Sequence, residues 1–280
     1  MKNLLIVDGH NLLFQMFYGM PSRIVNENGK AIQGVMGFVG ALLKIIKLTN
    51  ATHVVAIFDG EHESPRTEIS QEYKANRIDY SEVPEVANPF SQLADIYAAL
   101  DFMKIKRIEA TEFEADDVIA SYTYKYSNNA QIFISSYDSD FFQLIANTVS
   151  VLRYRGKNTT ICDTAYLQSK YNILPSQYVD FKSLTGDTAD NIKGAEKIGV
   201  KTATTLLNQF GNLQGILDNA EKITKPSIRE SILRNKNRLQ TNYKLIKLDN
   251  KSTSTFALED LIYPQTNITT RKILKGINLL

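Results

Sequence analysis

Cysteine is almost missing from this chain: Cys162 stands alone. A single thiol excludes an intramolecular disulfide framework and fits a reducing cytoplasm, the expected compartment. With no partner suggesting a nucleophile, Cys162 reads as a small, partly buried residue. Long apolar runs are also lacking, so nothing approaches the ~20 residues of a membrane helix. Met1-Lys2-Asn3 leads into only a short apolar run, without the length or cleavage pattern of a signal peptide. Histidine is scarce, and His10, His53 and His62 are scattered, which gives them structural or solvated roles. Repeats, low-complexity tracts and long linkers are missing as well. At 280 residues, 43% hydrophobic and 22% charged, the chain suits one large soluble domain or two modest ones, expected to be monomeric.

The net charge of +2 conceals an asymmetry. Residues 191–280 hold 15 Lys and Arg against 7 Asp and Glu, whereas residues 1–190 hold 17 against 23. A basic C-terminal part beside an acidic N-terminal part suggests an anionic partner for the first and metal cations for the second.

Acidic residues follow a rule. Leu4-Leu5-Ile6-Val7 reads as a buried strand ending at Asp8-Gly9, and Val54-Val55-Ala56-Ile57-Phe58 as another ending at Asp59-Gly60. Helical spacing over 11–18 and 34–48 separates them, so the strands should lie parallel, with Asp8 and Asp59 on one edge of the sheet. Helical spacing over 89–101 and a short strand over Lys104–Ile108 follow. Between Glu114 and Asp140, five carboxylates occupy 27 positions: Glu114, Asp116, Asp117, Asp138 and Asp140. Alone, that stretch fits a divalent-metal site or acids favoured at a helix N-terminus equally well. A helix from about Glu114 to Tyr126 and a strand over Gln131–Ser135 place these acids on the same edge as Asp8 and Asp59. Convergence favours the metal reading.

Residues 60–88 are polar and weakly periodic. Arg66, Tyr73, Lys74 and Arg77 follow Asp59 there, as a phosphate clamp or mobile lid would require, although a solvated loop would look similar. Val149–Tyr154 reads as a strand and Gly156-Lys157-Asn158 as a turn that could form a hairpin into Thr160-Ile161. From Asp163 onward the chain reads as wholly helical, and residues 250–280 carry little pattern. Asp187 and Asp190 lie three apart near a helix start. Gly194 to Ala203, with Ile198-Gly199-Val200 between Lys197 and Lys201, has the form of a helix-hairpin-helix, whose backbone amides grip phosphate.

Val7-Asp8-Gly9, Phe58-Asp59, Tyr73-Lys74-Ala75-Asn76-Arg77, Glu114-Ala115-Asp116-Asp117, Asp138-Ser139-Asp140 and Gly186-Asp187 through Lys201-Thr202-Ala203 together resemble a known family. It comprises the bacterial 5′-3′ exonucleases and flap endonucleases related to the N-terminal nuclease domain of DNA polymerase I. The resemblance runs from Leu5 to about Gly211. It implies a free-standing relative with an α/β, PIN-like fold: a mostly parallel central sheet flanked by helices over 1–162, with a helical arch over 60–88. An all-helical DNA-binding part over 163–280 would carry the helix-hairpin-helix near 187–208. It further implies that Asp8, Asp59, Glu114, Asp116, Asp117, Asp138, Asp140, Asp187 and Asp190 hold two Mg²⁺ or Mn²⁺ ions. Lys74 and Arg77 would act on the scissile phosphate. Arg66, Tyr73, Lys197, Gly199, Lys201 and Thr202 would contact DNA, with K⁺ at the hairpin. The sequence departs from the family pattern at Tyr137, at Ser139 and at Ile78-Asp79.

The expected reaction is hydrolysis of phosphodiesters in DNA carrying a 5′ flap, a nick or a 5′ end, RNA-DNA hybrids being further candidates, in replication or repair. A non-catalytic DNA-binding protein of the same fold is the alternative. A haloacid dehalogenase-type phosphatase would want Asp-x-Asp at the end of the first strand, and position 10 is His.

Overall fold

The computed structural model describes residues 2–20, 22–60, 64–252, 255–264 and 267–280. Its first half runs β1 (Asn3–Asp8), α1 (Gly9–Gly19), α2 (Gln33–Thr49), β2 (His53–Asp59), α3 (Leu93–Phe102), β3 (Lys106–Ala110), α4 (Ala115–Tyr126) and β4 (Gln131–Ser135). β5 (Val149–Arg153) and β6 (Thr160–Cys162) complete a six-stranded sheet in the order β3-β2-β1-β4-β5-β6. All pairings are parallel except the last, an antiparallel hairpin of β5 and β6. The strand order turns back between β1 and β4, so the crevice beyond their C-terminal ends is where such a sheet receives ligands.

Both faces of the sheet are covered, which is why β1 and β2 read as unbroken apolar runs. Leu5, Val7, Val54, Ala56 and Phe58 point into one core with α1, α2 and α3. Leu4, Ile6, Val55, Ile57, Ile132 and Ile134 point into the other, with Val118, Ile119 and Tyr122 of α4.

The second half contains α5 (Thr164–Tyr171), α6 (Tyr178–Thr185), β7 (Gly186–Asp187), β8 (Ile192–Lys193), α7 (Val200–Phe210), α8 (Leu213–Asp218), α9 (Pro226–Arg234), α10 (Lys236–Ile246) and α11 (Thr270–Gly276). The expectation of helices alone fails at β7 and β8, a two-residue antiparallel ribbon. Gly186 makes it possible: its φ is +81°, and a Cβ there would sit 2.5 Å from Gly194 N and Ile192 O. Leu184, Ile198, Leu207, Ile216 and Leu239 join the core that reaches the sheet through α4. The last residues return to the opposite face. Ile273, Leu274 and Leu279 pack with α2 and α3, and Tyr263 N bonds Thr52 O at 2.9 Å. Tyr263 and the described residues of α11 therefore pack against the α/β part.

Two further expectations shift. β3 begins at Lys106 rather than Lys104, because Lys104 takes a left-handed φ of +58° and Ile105 N still bonds Leu100 O at the end of α3. The segment 60–88 read as a helical arch holds 3₁₀ turns at Pro65–Glu68, Tyr80–Glu82 and Glu85–Ala87, with no α-helix among its described residues. His62 lies outside the described residues.

Candidate metal centre

Each acid of the sheet edge is placed by the end of an element. Asp8 closes β1 and caps α1, its Oδ1 accepting from Asn11 N at 3.1 Å. Gly9 must follow it, since a Cβ there would lie 2.3 Å from the Phe58 ring. Asp59 closes β2 and accepts from Ala115 N at 2.8 Å, which ties β2 to the first turn of α4. Glu114 stands at the N-cap of α4, with Asp116 within its first turn. Asp138 and Asp140 follow β4, and Asp187 and Asp190 come from β7 and the turn after it.

A hydrogen-bond chain runs between the two ends of this cluster. Ser136 Oγ donates to Asp8 Oδ2 at 2.7 Å and accepts from Asp138 N at 2.9 Å, while Asp138 Oδ1 accepts from Asp140 N at 2.8 Å. At the far end, Asp140, Asp187 and Asp190 each offer an oxygen within 4.8 Å of the other two.

Cations answer only part of this charge. Lys74 Nζ lies 3.0 Å from Glu114 Oε2, Arg77 Nη2 lies 2.9 Å from Asp190 Oδ1, and Lys182 Nζ meets Asp187 and stands 3.9 Å from Asp140. Asp8, Asp116 and Asp138 have no ion pair among the described residues. Burial, with Asp59 and Asp138 nearby, pushes Asp8 up to about 7 against the pull of Ser136 and Asn11. Burial and Asp138 raise both Asp116 and Asp140 well above the usual carboxylate range. Burial also raises Asp138, with Asp190 and Asp187 adding to it. Glu114 goes the other way: burial opposes its charge, but Lys74 and Arg66 outweigh it. At half-exposed Asp59, burial is outweighed by His10, the Ala115 N–H and Lys74, and the pKa falls.

Such a cluster fits a hard divalent cation. Every donor is a carboxylate oxygen, and Asp140 Oδ1 is buried with no hydrogen-bond partner.

Three of the expected site residues are committed elsewhere. Arg66 is not free to meet DNA: it is 7% exposed, with its guanidinium 2.8 Å from Glu114 Oε2 and forked onto both oxygens of Asp117. Asp117 also accepts from Asp249 N at 2.7 Å, so Arg66 and a backbone amide hold its oxygens away from the cluster. Tyr73 is buried, and its hydroxyl lies 3.3 Å from Glu114 Oε2. Lys197, Gly199 and Lys201 are exposed and Thr202 half-buried at the start of α7, outside the acid cluster.

Other residues were not singled out. Lys182 projects from α6 toward acids of two other segments; its five-residue spacing to Asp187 is the only sequence signal, and it is a weak one. Ser136 is visible only through contact with Asp8. His10, read as structural or solvated, places Nδ1 3.6 Å from Asp59 Oδ2.

The lid is stapled to the turn after β7. Lys74, in a left-handed conformation with φ of +56°, donates its N–H to Asp190 O at 3.1 Å. Asn191 Nδ2 donates to Glu72 O at 2.8 Å, and Asn76 Nδ2 to Thr188 O at 3.1 Å.

The chain has relatives that match both halves. The 5′-3′ exonuclease N-terminal resolvase-like domain matches residues 3–172, and the 5′-3′ exonuclease C-terminal SAM fold matches residues 173–269. Thermostable DNA polymerase I of Thermus aquaticus is 35% identical over 245 residues, which are 87% of this chain but 28% of that protein. The chain thus spans about a quarter of the length of such polymerases. A 5′-3′ exonuclease of Buchnera aphidicola from Acyrthosiphon pisum is 34% identical over 88% of this chain and 86% of its own length. Among solved structures, bacteriophage T5 flap endonuclease in a complex with DNA and metal ions superposes with a TM-score of 0.73 at 24% identity, over 88% of this chain and 89% of the other. By sequence in both halves, and by fold, the chain belongs to the 5′-3′ exonuclease family.

Proposed function

We propose that the chain is a metal-dependent 5′ nuclease that hydrolyses phosphodiester bonds in DNA at 5′ flaps and 5′ ends. The observation that carries this reading is the convergence of eight carboxylates from separate segments on one sheet edge, beneath Lys74 and Arg77. When bound there, two divalent ions would supply Lewis acidity and a water of lowered pKa. Asp8, Asp59, Glu114 and Asp116 form one end of the donor set; Asp140, Asp187 and Asp190 form the other, and Asp138 stands between them in the hydrogen-bond chain.

Lys74 and Arg77 act on the scissile phosphate. Their present partners, Glu114 and Asp190, hold them at the rim of the cluster, where charge builds on a transferring phosphoryl group. The exposed amides at the start of α7, with Lys197 and Lys201, grip the backbone of the adjoining duplex without reading bases. The same turn is the place for the K⁺ ion that the family resemblance implies. Similarity to part of DNA polymerase I supports a role in removing 5′ ends during replication or repair.

The test uses end-labelled 5′-flap, nicked and single-stranded DNA, and an RNA-DNA hybrid, with Mg²⁺ or Mn²⁺. Cutting near the flap junction that disappears in Asp140→Asn protein is expected. Binding without cutting in either metal would assign the chain to the non-catalytic alternative.

A further inference from the structure

A cavity of about 580 Å³ opens in the helical half, outside the acid cluster. Three elements wall it: the start of α6 with Gln177 and Asp180, the turn from α7 into α8 with Gly211 and Leu213, and α10 with Tyr243 and Lys244. Asp180 lies in the first turn of α6, whereas Asp187 follows its end. Gly211 closes α7, about 16 Å along an 11-residue helix from the turn that opens it. The nuclease reading leaves this cavity without a role.

Asp180 is the group there that lacks a counter-charge. It is 5% exposed, and its Oδ1 accepts from Leu213 N at 3.0 Å. Burial raises its pKa, opposed only by the Leu213 N–H and its own, and it forms no ion pair among the described residues. A buried carboxylate met by neutral N–H groups alone is costly to keep charged unless a cation joins it. Tyr243 is near enough that, after burial, Asp180 raises its pKa too, and its hydroxyl makes no hydrogen bond among the described residues.

The surrounding turn favours positive charge as well. Its N–H groups are already taken: Leu213 N by Asp180, Gly215 N by Asn212 Oδ1 at 2.8 Å, and Gln177 Nε2 by Gly211 O at 2.7 Å. α7 ends at this turn with no basic residue in its last turn, so nothing on that helix answers the negative end of its dipole. Lys244 is the one cation on the walls among the described residues, and it is exposed.

We propose that this cavity binds a guanidinium or alkylammonium group, its charge on the Asp180 carboxylate and its stem across Tyr243. A charge-assisted hydrogen bond supplies the strongest contact, and the tyrosine ring accepts a cation over its face. The volume lies in the range of small-ligand sites and exceeds what a bare metal ion needs. Two sources carry this chemistry: a free polyamine, or the side chain of a basic residue on a partner protein. The site is independent of the nuclease reading.

The experiment titrates full-length protein, without DNA, with spermidine and separately with an end-blocked Gly-Arg-Gly peptide, followed by calorimetry. Saturating Mg²⁺ occupies the acid cluster, and Asp140→Asn protein is run beside the wild type to identify any binding there. Millimolar or tighter binding of at least one probe is expected. Asp180→Asn keeps an acceptor for Leu213 N but removes the charge, and should weaken that binding about tenfold or more. Tyr243→Phe, which loses only the hydroxyl, should weaken it roughly threefold. Lys244→Ala should tighten it, because a like charge leaves the rim.

Binding of spermidine alone assigns the cavity to free amines, and binding of the peptide alone assigns it to a partner's side chain. The proposal is overturned if neither probe binds, or if binding is unchanged in Asp180→Asn and Tyr243→Phe proteins of wild-type melting temperature. Binding lost in Asp140→Asn but kept in Asp180→Asn places the probes in the acid cluster and overturns it too. Inorganic phosphate gives the last arm: phosphate binding that Lys244→Ala abolishes, with no cation bound, makes this an anion site.

Discussion

Arg66 and Asp117 form a buried fork, with Nη2 2.7 Å from Oδ1 and Nη1 2.8 Å from Oδ2, inside the first turn of α4. Nη1 reaches Glu114 as well, so one guanidinium seats the lid base on the helix that carries two acids of the site. Removing one partner of such a pair leaves an uncompensated charge. Arg66→Ala should cost about 3–5 kcal/mol in urea unfolding. Arg66→Lys should recover little, because an ammonium cannot make the forked contact. A loss under 1 kcal/mol would show that the fork is solvated.

Lys74→Ala should lower kcat roughly 10²-fold or more while duplex affinity in Ca²⁺ changes little, because its ammonium faces the acids rather than the turn that opens α7. Steady-state kinetics set against equilibrium binding checks this. Equal losses in both would reassign Lys74 to binding.

The acid cluster sets a pH dependence. Asp8 is raised from 3.8 to about 7, and Asp116, Asp138 and Asp140 are raised too. These groups hold protons more tightly folded than unfolded, so their contribution to stability falls as pH rises through that interval. Glu114, shifted downward, acts in the opposite sense, but only as pH falls below the ordinary carboxylate range. In EDTA the melting temperature should therefore be higher near about pH 5 than near about pH 7.5, and saturating Mg²⁺ should remove the difference by taking the place of protons. Calorimetry reads the result, and a metal-free protein more stable at the higher pH would contradict it.

Lys182→Ala should lower the metal-free melting temperature at neutral pH, since Asp140 and Asp187 lose their nearest cation. Mn²⁺ should restore more of the lost stability than it adds to wild-type protein. Equal Mn²⁺ shifts in both proteins would place Lys182 outside the metal-binding balance.

Gly9→Ala should destabilise by about 1–3 kcal/mol through overpacking against Phe58. Because the clash is with a side chain, Phe58→Leu in the same protein should return part of that loss. No recovery would mean that the backbone of α1, not the ring, resists the added carbon.

The sheet edge was legible because strand, acid and glycine follow one another within a few residues, and an apolar run that stops at an Asp marks a strand end. The same logic located Asp138 and Asp140 after β4. The direction of Arg66 was not legible: a charge in a polar stretch reads as solvated, and only the depth of Asp117 reverses that. β7 and β8 have two residues each, too few for any alternation to register. Lys182, Ser136 and the C-terminal return through Ile273 and Leu274 depend on contacts between distant segments, which no local pattern encodes.

The staple between residues 72–76 and 188–191 has a mechanical consequence. Asn191 and Asn76 join the lid to the turn that carries Asp190, and that turn continues through β8 into the segment that opens α7. A load applied at α7 would pass back through residues 191–199 to the carbonyl of Asp190, and from there to the N–H of Lys74. Under the proposed nuclease function, a grip before α7 and the aim of Lys74 would share that one strut.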